Sequence, residues 1–335
     1  MGQNETVERD YLKNIAHKGL NMSIKNPFKA IYDQLNDTKN EIGAFAFPIC
    51  IDVELTNCCN LKCFMCPTGV GSSIREKGYM SDTTFYKLLN DISGRQVGLR
   101  FIRWGEPTLH PKMIDYIITA KNEGHLCHIN TNGTTTDRLI DAIIDSKLDS
   151  IKFSFQGVNQ ESYNKIRQGG DFSKIVTNIK NLFNARDNNS PFMQVSTTTT
   201  NESDADIAYF IEGLTPYCDM INVGATIFKN IDIDRSIMDE KQKDIFYALK
   251  KEQKVLQNRP MHCPEVYGKL SVDWDGKVTA CCSDYDRELV VGDLSENTVY
   301  EIFMSAKINE YRTFLSQKSF DKIAKCAECF NYMPV

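Results

Sequence analysis

The stretch Cys59-Asn60-Leu61-Lys62-Cys63-Phe64-Met65-Cys66 decides how the rest of the chain reads. Thiolates are soft, anionic ligands that suit iron, and a cubic [4Fe–4S] cluster takes four of them. A Cys-x3-Cys-x2-Cys run supplies three and leaves one iron open. An open coordination position belongs to a catalytic metal, because a structural site is closed. Two other readings stand beside this one: a zinc site completed by Cys58, and three buried apolar cysteines.

The run follows an apolar stretch at 48–55 that reads as a strand, so the thiols fall in the loop after it. Further strands are expected at 98–104, 125–130, 150–155, 192–197 and 220–227. Helical patterns separate them at 81–93, from 112, and at 136–146, 173–186 and 204–214. Ser81 has the character of an N-cap. Six strand–helix alternations predict parallel βαβ units with right-handed crossovers, two short of a full (β/α)8 barrel. In such folds the loops at the C-terminal ends of the strands carry the chemistry, which is where the three thiols lie.

Composition narrows the function. The 335 residues allow one large or two modest domains. A net charge of −5 argues against a nucleic-acid partner, whose binding surface is usually basic. The first ten residues are charged without an apolar core, and no stretch is long enough to span a bilayer. A reducing cytoplasm is therefore expected, with the twelve cysteines free for metal or redox chemistry rather than disulfides.

The cysteine spacing and the coarse rhythm together resemble the radical S-adenosylmethionine (radical SAM) family. The resemblance implies an α/β fold with a partial (β/α)6 barrel. It implies that Cys59, Cys63 and Cys66 hold a [4Fe–4S] cluster whose open iron takes SAM. Trp104-Gly105-Glu106-Pro107 is similar to the family's amino-group motif, with Trp104 in place of one glycine. By the same resemblance Asn130 and Asn132 lie near the SAM ribose, and Ser154, Gln156 and Arg167 near its carboxylate or hydroxyls. One departure is Met65, where an aromatic residue is usual. The physiological electron donor would be a reductant such as flavodoxin or ferredoxin.

The tail has a different grammar. Asp275-Gly276 between 269–274 and 277–281 is a strong hairpin signal, and short helices are expected at 298–304 and 306–316. Cys263, Cys281, Cys282 and Cys326-Ala327-Glu328-Cys329 offer a four-thiolate site, for an iron–sulfur cube or for zinc. The order Cys, hairpin, Cys, Cys-x2-Cys resembles the Twitch domain, a short SPASM domain of radical SAM enzymes. The 2-deoxy-scyllo-inosamine dehydrogenase type has a similar arrangement. That implies a small C-terminal β-hairpin plus helix domain whose Cys263, Cys281, Cys326 and Cys329 hold an auxiliary [4Fe–4S] cluster, with Cys282 spare. The other spare cysteines, Cys50, Cys58, Cys127 and Cys218, read mostly as small core residues.

The expected organisation is an extension at 1–46, a barrel at 47–230, a connector at 231–258 and the auxiliary domain at 259–335. The expected function is oxidation or epimerisation of a sugar or aminocyclitol carbon, with a peptide or protein maturase as the alternative. A non-catalytic electron-transfer protein is disfavoured by the open three-thiol site. The dehydrogenase type uses an arginine after its last barrel strands, but 223–230 contains none. Lys229 and Arg103 stand as candidates for substrate contact, Arg103 beside the reading that it forms a structural ion pair. His110 reads as structural.

Overall fold

The computed structural model describes residues 25–37, 41–228, 231–252 and 263–331. Helix α1 is Lys29–Asp37. Strand β1 (Cys50–Val53) leads into the cysteine loop, which contains the two-residue strand β2 (Lys62–Cys63). Then follow α2 (Asp82–Ile92), β3 (Gly98–Phe101), α3 (Met113–Asn122), β4 (Leu126–Thr131), α4 (Ile140–Asp145) and β5 (Ser150–Ser154). The barrel closes its run with α5 (Gln160–Ile166), β6 (Arg167–Gln168), α6 (Phe172–Ala185), β7 (Phe192–Thr199), α7 (Asp204–Leu214) and β8 (Met220–Ala225). Helix α8 is Glu240–Glu252.

The tail adds α9 (Glu265–Gly268), β9 (Lys269–Val272), β10 (Lys277–Thr279), β11 (Val290–Asp293), α10 (Val299–Phe303), α11 (Ala306–Ser316) and α12 (Ala324–Asn331). Nine strands form one sheet in the order β11-β10-β9-β1-β3-β4-β5-β7-β8. From β9 through β8 all neighbours are parallel. The six expected barrel strands are all present, in the parallel α/β arrangement that the resemblance implied. Ser81 does cap α2, its hydroxyl accepting from the Thr84 N–H at 3.1 Å.

Two features depart from the expected reading. The strand expected at 98–104 stops at Phe101 because Arg103 adopts φ 113°, a left-handed backbone that breaks the extended run. The tail hairpin is not separate from the barrel: β9 pairs in parallel with β1, register Asp52 to Ser271, and β11 adds a third tail strand.

Side-chain alternation divides the sheet. Ile51, Val53, Leu99, Phe101, Ile129, Ile151, Phe153, Val195 and Leu270 pack under the helices as one core. The residues between them face the concave side, and they are polar: Asp52, Arg100, His128, Asn130, Lys152, Gln194 and Ser271. Parallel strands covered on both sides read as continuous apolar runs, and the polar concave face departs from that pattern. Helix α1 closes its lower end. Phe28 is fully buried with its ring 5.6 Å from that of His128, and a Cβ on Gly98 would clash with Phe28 and Ile31.

Candidate active site

The cysteine loop is tied down at both ends. Thr56 donates its hydroxyl to the Gly78 carbonyl at 2.6 Å and accepts from the Cys58 N–H at 3.0 Å. Within the loop the Cys66 N–H donates to the Cys63 carbonyl and the Val70 N–H to the Cys66 carbonyl. Gly69 lies so close to Cys63 that any Cβ would sit 2.5 Å from its backbone N and O. Phe64, Val70 and Ile166 form a small second core with Phe228, Met238, Phe246 and Leu249, so α8 roofs the loop.

Burial pushes the thiols up, Cys59 to about 11 and Cys63 to about 12, and raises Cys66 as well, although N–H groups of Gly69 and Thr68 point at its sulfur. Three such thiols become thiolates only when a cation compensates them. Arg167 is one nearby positive charge, and an iron cluster would supply the rest.

The spacing of the donors separates iron from zinc. Sulfurs around tetrahedral zinc, at about 2.3 Å from the metal, lie only about 3.8 Å apart. Among the described residues the only three metal-ligating side chains with donor atoms within 4.8 Å of one another are Asp52, Glu265 and Cys282. Neither cysteine set is drawn together around a single ion. A cube that places each thiolate on a different iron keeps them further apart, so both sets fit clusters better than zinc. The Asp52–Glu265–Cys282 group already has cations: Arg100 and Lys269 lie 2.6 and 3.3 Å from Asp52, and Lys269 lies 2.7 Å from Glu265.

The expected SAM residues gather around the same mouth. Gly105 packs against Thr56 so tightly that a Cβ would fall 2.0 Å from its carbonyl oxygen, and the Glu106 N–H donates to the Cys58 carbonyl at 2.8 Å. The buried Glu106 carboxylate accepts from Thr131 Oγ1 at 2.8 Å, Thr108 Oγ1 at 2.6 Å and the Asn132 N–H at 2.7 Å. Burial raises its carboxyl despite these donors. Glu106 thereby locks the loop after β3 to the end of β4. Asn132 in turn reaches the Cys59 sulfur at 3.8 Å and Asn60 at 2.8 Å.

Arg167 is carried to the cluster loop by β6, which pairs with β2 so that Arg167 lies opposite Cys63. Its Nε donates to Gln156 Oε1. Asn130 Oδ1 accepts from His128 Nε2 at 2.7 Å, lower in the lumen than Asn132. Ser154 lies on the lumen face of β5, in register with Ser196. His110 is structural: its Nε2 is 2.9 Å from the Met80 carbonyl.

Arg103 does not face substrate space. Its side chain is fully buried 2.9 Å from Asp273 and donates to Thr279 Oγ1 at 3.0 Å and to the Cys281 and Asp284 carbonyls at 3.2 and 2.9 Å. It is a strut between barrel and tail, which also explains why its strained backbone is tolerated. Lys229 lies outside the described residues.

In the tail, Cys326 and Cys329 sit three residues apart on α12, near enough to Cys263 for their charges to raise it, although burial is the larger cause. Cys281 follows β10 and accepts from the Ser283 N–H at 3.4 Å. The two pieces meet through Lys325, whose ammonium lies 4.4 Å from the Tyr285 ring and 2.8 Å from Glu288. Cys282 lies beside Asp52 and Glu265 and also shares a side-chain hydrogen bond with Cys281. Cys50, Cys127 and Cys218 are core residues, as expected.

One residue escaped the sequence reading. Lys152 stands in the lumen wall on β5, between Asn130 and Gln194. Its signal was a charged residue in the middle of a central parallel strand.

Residues 53–214 match the model of the radical SAM superfamily, and residues 263–330 match an iron–sulfur cluster-binding domain, SPASM. Mycofactocin maturase MftC of Mycobacterium ulcerans is 30% identical over 139 residues, 40% of this chain and 36% of that protein. The chain spans less than half the length of the curated relatives it matches. Among solved structures, BtrN in complex with AdoMet and 2-DOIA is similar in fold, with TM-score 0.51 and 17% identity over 82% of this chain and 90% of that one. Streptococcus suis SuiB bound to precursor peptide SuiA gives TM-score 0.62 and 13% identity over 93% of this chain and 79% of that one. Residues 53–214 are thus a radical SAM domain, and residues 263–330 an iron–sulfur cluster-binding SPASM domain.

Proposed function

We propose that the protein is a radical SAM oxidoreductase that oxidises or epimerises a C–H(OH) carbon of a small polar substrate, a sugar or aminocyclitol. The carrying observation is the lumen, whose wall is polar and charged from β9 to β7. A hydroxyl-rich molecule would find hydrogen-bonding partners there that an apolar side chain would not.

In this reading Cys59, Cys63 and Cys66 hold the first cluster, and Cys263, Cys281, Cys326 and Cys329 the auxiliary one. Gly105, Glu106, Asn130, Asn132, Ser154, Gln156 and Arg167 line the SAM site. When bound, cluster and SAM supply a 5′-deoxyadenosyl radical that removes a hydrogen atom from the substrate. The chain's own part is positional. Glu106 fixes Asn132 beside Cys59, Arg167 offers positive charge beside the thiols, and α8 shields the cluster loop from water. An external reductant of the flavodoxin or ferredoxin kind is needed to start each turnover.

A second reading, a peptide maturase, is favoured by the names of two relatives: MftC is a maturase, and SuiB was solved with its precursor peptide. The yield of 5′-deoxyadenosine from the reduced, reconstituted protein decides between them. Stimulation by 2-deoxy-scyllo-inosamine, myo-inositol or glucosamine supports the first reading. Stimulation by peptides alone overturns it.

A further inference from the structure

Almost every charge on the concave side has an opposite charge beside it. Asp52 is paired with Arg100 and Lys269, Glu54 with Arg75, and Asp273 with Arg103 and Arg287. Lys152 is different. It sits in the wall between Asn130 and Gln194, two residues below Ser154, and has no hydrogen bond or ion pair among the described residues. An unpaired ammonium in a partly buried wall is costly. A fold keeps one where a ligand will meet it.

We propose that Lys152 holds the substrate hydroxyl being oxidised and, as the neutral amine, accepts its proton. The proposal rests on the oxidoreductase reading above and names the residue that reading lacked. The step balances as follows. The carbon's hydrogen atom leaves to the SAM-derived radical and the hydroxyl proton to Lys152 Nζ. The remaining electron passes to the auxiliary iron–sulfur cluster as C–O becomes C=O. Without a base, the carbon radical keeps its O–H proton and is a poorer electron donor.

The groups around Lys152 suit the task. Burial pushes the amine down to about 8, and Arg100 on β3 adds repulsion, while Cys282 and Asp52 oppose the shift. His128 on β4 is a less apt base. Burial pushes it down to about 3, and its ring nitrogens are engaged by Ser150 and Asn130. Asn130 and Gln194 flank Lys152 without charge. An amine near 8 meets the condition for proton transfer close to neutral pH.

The test uses the reconstituted holoenzyme with the three polyols named above, and the variants Lys152→Met and Lys152→Arg. Unchanged iron content in the variants serves as the folding control. In the wild type, ketone formation is expected to rise with pH through about 8. Both variants are expected to lose about 100-fold in that rate and its pH limb, while substrate-free cleavage of SAM persists.

Acetylation by acetic anhydride, followed by mass spectrometry, reads the amine directly. Lys152 is expected to react in the holoenzyme and to be protected to the level of the ion-paired Lys269 only when SAM and a polyol are both present. Protection by SAM alone would assign Lys152 to the SAM carboxylate and overturn the proposal. So would a Lys152→Arg variant with the wild-type rate and pH profile. If no polyol raises the wild-type yield of 5′-deoxyadenosine, the oxidoreductase reading itself fails and the proton-transfer role falls with it. That outcome is visible before any variant is made.

Discussion

The Arg103 guanidinium lies 2.9 Å from the Asp273 carboxylate, with both side chains fully out of solvent, and so joins the loop after β3 to the end of β9. Asp273 also lies 3.6 Å from Arg75 and 2.8 Å from Arg287. One carboxylate therefore answers three cations drawn from the cysteine-loop side, the barrel and the tail. Removing one partner of a buried pair costs about 3–5 kcal/mol, because the other charge stays buried alone. Asp273→Asn is expected to lower stability by that order in a denaturant titration and to reduce the iron bound by the tail. Full retention of both would show the strut to be dispensable.

Iron content separates the two cysteine sets. Wild-type protein reconstituted without oxygen is expected to bind about eight irons, as two [4Fe–4S] cubes require. Cys59, Cys63 and Cys66 changed together to Ala should leave about four, with Mössbauer spectra of the remaining cube. Zinc in the tail and no iron in the triple variant would refute the auxiliary assignment.

Gly105 has no room for a methyl group, since a Cβ would fall 2.0 Å from the Thr56 carbonyl oxygen. Gly105→Ala is expected to push the loop at 104–107 off Thr56 and thereby displace Glu106 and Asn132. SAM affinity, measured by equilibrium dialysis, should fall at least as far as in Glu106→Gln. Unaltered affinity in the glycine variant would separate this loop from SAM.

Lys152 also bears on stability. Its folded-state amine is pushed down to about 8 by burial, against about 10.4 in an unfolded chain. The unfolded state therefore binds more protons between these values, and stability rises with pH across that window. Below pH 8 the buried charge costs its full amount, of order 3 kcal/mol for a shift of this size. Lys152→Met is expected to be the more stable protein at pH 7 by up to that order, with the advantage shrinking as pH climbs from 8 to above 10. Equal stability at both pH values would mean that the amine is not strained by burial.

Much of the scaffold was legible. The six strands announce themselves as apolar runs, and the thiol triplet fixes which end of them matters. The pairing of β9 with β1 was not, because parallel partners more than 200 residues apart leave no mark on either segment. Arg103 read as a substrate contact or a structural pair because its charge ends a strand at the mouth that holds the thiols; its partners lie in a tail that meets it only in three dimensions, and it is the structural pair. The lumen was written in plain sight: Ile51-Asp52-Val53, Leu99-Arg100-Phe101 and Ile151-Lys152-Phe153 each set a charge between two core residues. The habit of reading parallel strands as wholly apolar hid it.

The ladder between β9 and β1 gives the tail a different standing from an appended module. Cutting the chain before Lys269 would strip β1 of a hydrogen-bonding neighbour and leave a raw sheet edge, an invitation to aggregate. A lineage that no longer needs the second cluster can shed its thiols one substitution at a time, but it must keep the strand that pairs with β1. Descendants of such an enzyme should therefore be recognisable as full-length proteins with an intact tail and missing cysteines, rather than as truncated ones.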